Sequence, residues 1–203
     1  MITNPEARVR EQKERVEYEW GTLWPHYHKD RQTWATGFRT KGDVDIFFLS
    51  GETGRDPLQD QTARSAEDEK RTRVVGGIKE QTWQCLWAIK GNLELMGASL
   101  KHIVMFRWFV KRREDLYAMR EERDRFFAKF DPDLLENRRP GTLLCEIGLA
   151  LPEMLIEIEA WAAVPRKNTK KTSPALSHSL SAMPSRRPRK KVLKNPARKT
   201  KTG

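Results

Sequence analysis

Hydrophobic residues recur at helical spacing in two segments of the chain. Between Ile78 and Met96 the apolar positions are three or four residues apart and Gly97 follows, which is typical of an amphipathic helix with a glycine cap. A similar pattern predicts a second helix from Leu116 to Phe130, ending before Pro132. Between these helices, the segment 103–110 is almost wholly apolar and too short for a helix, which predicts a buried strand.

Four further segments have strand patterns, at residues 34–39, 44–50, 143–149 and 155–164. The turn Lys41-Gly42-Asp43 predicts that the first two form a hairpin. The resulting order ββ-α-β-α-ββ predicts an α+β fold, a mixed β-sheet with two helices packed on one face. Along the last strand, Glu157, Glu159 and Trp161 would then point to the uncovered face. Because an exposed, partly apolar sheet face favours association, we expect a homo-oligomer.

The two ends of the chain differ from this body, which we place at residues 33–165. In residues 1–32, Asn4-Pro5-Glu6 resembles a helix start and predicts a charged helix to about Trp20, followed by an aromatic connector. Residues 166–203 hold 13 Lys or Arg, no acidic residue and five of the prolines when Pro165 is included. This composition predicts a disordered basic tail.

The net charge of +11 comes from residues 166–203, because residues 1–165 hold 26 basic and 28 acidic side chains and are nearly neutral. The tail is either a sequence-independent binder of nucleic acid or another polyanion, or a solvated segment with no dedicated partner. No apolar run is long enough to span a membrane, and the first twenty residues have no apolar signal segment. Cys85 and Cys145 are far apart with no pairing motif, so we expect a cytoplasmic protein with ordinary thiols.

Three segments together resemble the RidA family, also called YjgF/YER057c/UK114. They are Ile46 to Glu52 (IFFLSGE), Glu80-Gln81-Thr82 with Ile89 to Leu100 (IKGNLELMGASL), and Leu151-Pro152 with Leu155 to Ala160 (LIEIEA). The resemblance covers roughly residues 33–164. It implies a chorismate mutase-like fold assembled as a homotrimer, with clefts between subunits. It also implies hydrolysis of reactive imines or enamines to 2-oxo acids and ammonia, without a cofactor.

The resemblance assigns roles to individual residues. Glu157 corresponds to the glutamate that handles the water, and Ser50 and Gly51 line the cleft. Thr142 stands where the family has the arginine that holds the substrate carboxylate, because Glu146 matches the glutamate four residues further on. A threonine hydroxyl is neutral and cannot make that bidentate, charge-assisted contact.

Other side chains complete the candidate binding set. We include Trp34, Arg138 and Arg139, and Arg107 in the third strand is a further candidate cation. Arg138 and Arg139 are either cleft cations or solvated loop charges, and the second role is the commoner one for arginine. We expect no metal site, because His26 and His28 have no third ligand at suitable spacing.

Two functional hypotheses follow. The first is a RidA-like protein that binds a small carboxylate or carbonyl compound in intersubunit clefts and hydrolyses an imine with Glu157. The second is a non-catalytic trimeric scaffold whose basic tails bind nucleic acid or another polyanion.

Overall fold

The computed structural model describes residues 15–28, 31–57 and 73–166, with the backbone alone for 27–28 and 31–33. These residues form eight strands and three α-helices. The strands are β1 (Val16–Tyr18), β2 (Gly21–His28), β3 (Arg31–Thr40), β4 (Val44–Phe48), β5 (Glu52–Thr53), β6 (Ile103–Val110), β7 (Gly141–Cys145) and β8 (Ile156–Pro165). The helices are α1 (Ile78–Leu95), α2 (Leu116–Phe130) and α3 (Pro132–Glu136).

The larger sheet has the strand order β4-β8-β6-β7, and β5 also pairs with β8. The β6–β7 pair is parallel and the others are antiparallel, so the sheet is mixed, as predicted. Both long helices pack on one face of this sheet, and their apolar sides meet the inward residues of β6 and β8 in a single core. The predicted α+β architecture and the bounds of β6 and both long helices are confirmed.

Buried and partly buried residues alternate along β8, so the two faces of the large sheet differ in character. Ile156, Ile158, Ala160 and Ala162 are fully buried under the helices. The intervening Glu157, Glu159 and Trp161 are only partly buried, on the face that the helices leave uncovered. Strand β8 therefore places carboxylates opposite the core, as the sequence pattern predicted.

Strands β1, β2 and β3 form a separate three-stranded antiparallel sheet. The predicted helix to Trp20 is therefore wrong over residues 15–20, where the chain forms β1 and a turn, and the aromatic connector is β2. Trp20 and Leu23 are buried there. Burial of large side chains by strand pairing outweighs the helical preference of the surrounding Glu and Arg residues.

The predicted hairpin of residues 34–39 with 44–50 is also wrong. Both segments are strands, but β3 pairs with β2, and β4 pairs with β8. The register of a strand depends on which partner strand allows its apolar face to be buried. Pairing with β8 allows β4 to pack against the main core. Gly42, between the two strands, has a left-handed backbone, with φ of 69°.

A buried arginine connects the two sheets. Arg139 donates to the Tyr18 hydroxyl of β1 at 2.8 Å, to Asp133 of α3 at 2.8 Å and to the Ile103 carbonyl at 2.8 Å. Its side chain is fully buried, and its guanidinium lies 4.7 Å from the centre of the Tyr18 ring. Burial raises the pKa of Tyr18 to about 12, so the phenol is neutral and donates to Asp133 at 2.8 Å.

Some predictions concern residues that the structure does not describe. They are the helix start at residues 4–6 and the basic tail from residue 167. Within the described part, no helix is both long enough and apolar enough to cross a membrane.

Candidate functional site

Glu157 and Gly51 lie in contact where β8 begins and β5 pairs with it. A Cβ atom at position 51 would clash with Glu157 Oε1 and would lie 2.7 Å from its Cδ. The absence of a side chain at Gly51 therefore leaves the space that the Glu157 carboxylate occupies. The structure brings together two residues that the sequence assigned to one site. Ser50, immediately before them, is exposed.

A second carboxylate lies close to Glu157. Glu52 of β5 accepts a hydrogen bond from Asn92 Nδ2 of α1 at 2.6 Å. Burial raises the pKa of Glu52, and the negative charge of Glu157 raises it further. Burial also raises the pKa of Glu157, with an additional contribution from Glu159, while Arg55 opposes the shift. The site thus holds two carboxyl groups that retain protons at higher pH than ordinary glutamates.

These groups line a cavity of about 600 Å³ between α1, the β5 segment and the loop before β8. Arg55 supplies its cation and forms no salt bridge with another described residue. Apolar surface comes from Trp87, Leu95 and Met154. The size and the mixture of apolar walls with a few charged groups are typical of a small-molecule site.

Gln81 of α1 holds both loops that carry this site. Its amide donates to the Glu153 carbonyl at 3.0 Å and accepts from the Leu155 backbone N–H at 2.8 Å, just before Glu157. It also packs against Gly54, where an added Cβ would meet the Gln81 side chain. A buried glutamine therefore fixes the start of β8 relative to the segment containing Arg55.

The other predicted binding residues lie elsewhere. Trp34, Arg138, Arg139 and Thr142 line a second cavity, of about 520 Å³, beside β7 and α2. Arg138 makes a two-point contact with Asp124, at 3.0 and 2.9 Å. The interpretation of Arg139 as a solvated loop charge is wrong, because its side chain is buried and joins the two sheets. The fold of the single chain therefore does not bring these four residues into the cavity of Glu157.

Thr142 also lies next to Arg107 on the uncovered sheet face. Arg107 pairs in register with Thr142 of β7 on one side and with Glu159 of β8 on the other. Its guanidinium lies 3.4 Å from Glu159 Oε2 and 5.1 Å from the centre of the Trp161 ring. Glu159 is thus paired with a basic residue of its own chain.

No group of three His, Cys, Asp or Glu side chains in the described part is placed to hold a metal ion. The His26 ring instead stacks on Trp34, with centroids 4.6 Å apart.

Comparison with known proteins identifies the family of this chain. A family model described as endoribonuclease L-PSP matches residues 40–164, which is more than half of the chain. The chain belongs to the endoribonuclease L-PSP family. The match confirms the resemblance to the RidA family.

Individual relatives of this endoribonuclease L-PSP family protein are moderately similar. RutC family protein PH0854 of Pyrococcus horikoshii is 32% identical over 96 residues, or 47% of this chain and 70% of that protein. RutC family protein PYRAB12510 of Pyrococcus abyssi is 33% identical over 89 residues, or 44% of this chain and 64% of that protein. A solved structure of a Rid family protein, YyfB from Yersinia pestis, has 24% identity and a TM-score of 0.48, covering 64% of this chain and 86% of that one.

Sequence reasoning missed three members of the Glu157 cavity: Glu52, Arg55 and Asn92. Glu52 and Asn92 lie inside the segments that carried the family resemblance, so the sequence could have identified them as candidate site residues. Arg55 lies in a polar stretch with no pattern, and only its position in the folded chain identifies it.

Proposed function

We propose that this protein hydrolyses reactive imines or enamines of small carboxylates to 2-oxo acids and ammonia, in the cavity that holds Glu157. One observation carries the proposal. A carboxyl group with a raised pKa lines a cavity together with a second such group and an arginine that has no salt-bridge partner among the described residues. A group that can both accept and donate a proton is what this reaction requires.

The reaction needs three proton transfers, at the attacking water, at the nitrogen and at the hydroxyl group. The Glu157 carboxylate takes a proton from water as the water oxygen bonds to the iminium carbon. The resulting carboxylic acid returns that proton to the nitrogen of the carbinolamine. The C–N bond then breaks and its electron pair leaves with ammonia as the carbonyl forms. The hydroxyl group loses its proton to Glu157, which passes it to the ammonia, so that ammonium leaves and the carboxylate is restored.

In this proposal, Arg55 is the cation that binds the substrate carboxylate. It lines the same cavity as Glu157 and faces no competing salt bridge within the described residues, so it can pair with a substrate carboxylate. Arg138 and Arg139, the cations suggested by the sequence, are already paired with Asp124 and Asp133. Placing the cation on Arg55 removes the need for an arginine at Thr142.

The part of the large sheet that neither the helices nor the small sheet covers supports the homotrimer with intersubunit clefts. Large apolar residues are exposed on it, with Ile46 at 42%, Phe48 at 69% and Leu144 at 46%. Association of copies would bury them and would close the site from bulk water. Light scattering measures the mass directly, and a stable single protomer at working concentration would contradict this part of the proposal.

The activity is tested with freshly generated 2-iminobutanoate and related imines, by following ammonia release. Because general acid–base catalysis contributes about 10²- to 10⁴-fold, Glu157→Gln should lower kcat by about 100-fold or more. Arg55→Gln should instead raise KM by roughly tenfold or more, as expected for a lost charged contact.

Two matched control variants each remove one charge outside the cavity. Glu114→Gln alters an exposed carboxylate, and Arg107→Gln alters an arginine on the uncovered sheet face. Neither should change kcat appreciably. A large loss in Arg107→Gln with none in Arg55→Gln would move the substrate to the sheet face, and equal rates for wild type and Glu157→Gln would refute the catalytic role.

A further inference from the structure

The cavity beside β7 carries more positive charge than its acidic residue can neutralise. Asp124 accepts hydrogen bonds from Arg123 at 2.8 Å and from Arg138 at 3.0 and 2.9 Å, so two guanidiniums share one carboxylate. Arg120 also lines this cavity and forms no ion pair with any described residue. Arg139 adds nothing to the imbalance, because Asp133 neutralises it.

The arginines affect one another. Burial lowers the pKa of Arg123, and the charges of Arg138 and Arg120 lower it further against the opposing effect of Asp124. Burial alone would raise the pKa of Asp124, yet the hydrogen bond from Arg138 and the charge of Arg123 hold it below its usual range. The cluster therefore keeps about two uncompensated positive charges close together, which an anion would relieve.

Aromatic and apolar side chains form the rest of the wall, among them Trp34, Trp108 and Phe127. Trp34 stacks one ring face on His26 and is still 52% exposed. An exposed indole at the rim of a cationic cavity can stack with a planar ring of a ligand. The volume of about 520 Å³ is within the range of small-molecule sites.

We infer that this cavity binds a phosphate monoester attached to a planar ring, the chemistry of a nucleoside monophosphate. Three guanidiniums against one carboxylate match the charge of such a phosphate, which is about −1.5 to −2 near neutral pH, better than the single charge of a carboxylate. The planar donors of arginine suit phosphate oxygens, and Trp34 contacts the ring. This site is separate from the cavity of Glu157 and does not depend on imine hydrolysis.

The test is a calorimetric titration of the full chain with AMP at about 0.15 M salt, where long-range attraction by the basic tail is screened. Adenosine and ribose 5-phosphate serve as half-ligands. AMP should bind about tenfold or more tightly than either, because it uses both the cations and the ring wall. Equal affinity for AMP and ribose 5-phosphate would show that no ring is recognised and would overturn the inference.

Variants locate the binding. Arg120→Gln should weaken AMP about fivefold or more and leave adenosine unchanged, since a charged contact is lost. Trp34→Leu should weaken AMP and adenosine alike. Arg113→Gln removes the same charge from a side chain 72% exposed outside the cavity and should have no effect. If it weakens AMP as much as Arg120→Gln, the binding is general electrostatics and the inference fails. Glu157→Gln should leave AMP affinity unchanged.

Discussion

The carboxylate of Glu157 lies directly against the α-carbon of Gly51. Any side chain at position 51 would occupy the place of Oε1, whereas Gly51 itself has no left-handed backbone that would require glycine. The contact therefore fixes the position of the Glu157 carboxylate and places no demand on the backbone of Gly51. A mutation at Gly51 should then affect activity and stability to different extents.

Gly51→Ala should displace the Glu157 carboxylate while the fold persists. A displacement of about 1 Å in a catalytic group can cost roughly 100-fold, so kcat for imine hydrolysis should fall strongly. The unfolding free energy should change by less than about 1 kcal/mol, because a flexible side chain yields and alanine reduces the entropy of the unfolded chain. Gly37→Ala, where an added Cβ meets nothing within 4 Å, is the control. Full activity in Gly51→Ala would contradict the placement of Glu157.

The pH dependence of kcat/KM should report the neighbours of Glu157. Its carboxylate form is the base, so activity should rise with pH through a pKa above that of an ordinary glutamate. Glu159→Gln removes a negative charge that raises this pKa, and the acidic limb should move to lower pH. Arg55→Gln removes an opposing positive charge, and the limb should move to higher pH. Shifts of the same sign in both variants would exclude Glu157 as the titrating group.

Glu52 should reduce stability when it ionises. Its folded pKa is raised by burial and by Glu157, so the folded state binds its proton more tightly than the unfolded state. The unfolding free energy should therefore fall as pH rises from the usual glutamate pKa through the folded one. Glu52→Gln keeps an acceptor for Asn92 and should raise the melting temperature at pH 7. Calorimetry at pH 4 should show a smaller gain, and a larger gain at pH 4 than at pH 7 would reverse the predicted sign.

The buried arginine between the sheets should matter for stability. Arg139→Met removes the cation paired with Asp133 and the donor to two backbone carbonyls, and breaking a buried pair typically costs about 3–5 kcal/mol. Tyr18→Phe removes one hydroxyl and should cost about 1 kcal/mol. Urea denaturation measures both. A loss below about 1 kcal/mol for Arg139→Met would show that this network does not hold β1 to the body.

The basic tail beyond Arg166 lies outside the described residues, so its role stays a prediction from composition. Removal of residues 166–203 deletes 13 basic side chains and should abolish sequence-independent binding to nucleic acid. A gel-shift titration of the full chain and of a chain ending at Pro165, at two salt concentrations, measures this. Equal binding by both proteins would assign nucleic-acid affinity to the body.

Local pattern was sufficient for α1, β6, α2 and the alternation of β8. Each of these elements buries one side against a single core, and the apolar period of helix or strand records that burial directly in the sequence. The carboxylate at Glu157 and the glycine at Gly51 were likewise identified from segments that carry the family resemblance.

Pairing partners and charge environments required the folded chain. Strand β3 has the same alternation whether it pairs with β2 or β4, so its pattern cannot show that it belongs to a separate sheet. Arg139 has the sequence context of a surface loop, yet Tyr18 and Asp133 bury and neutralise it. Arg55 meets Glu157 only because β5 pairs with β8, and such contacts between distant segments depend on topology that no local sequence signal records.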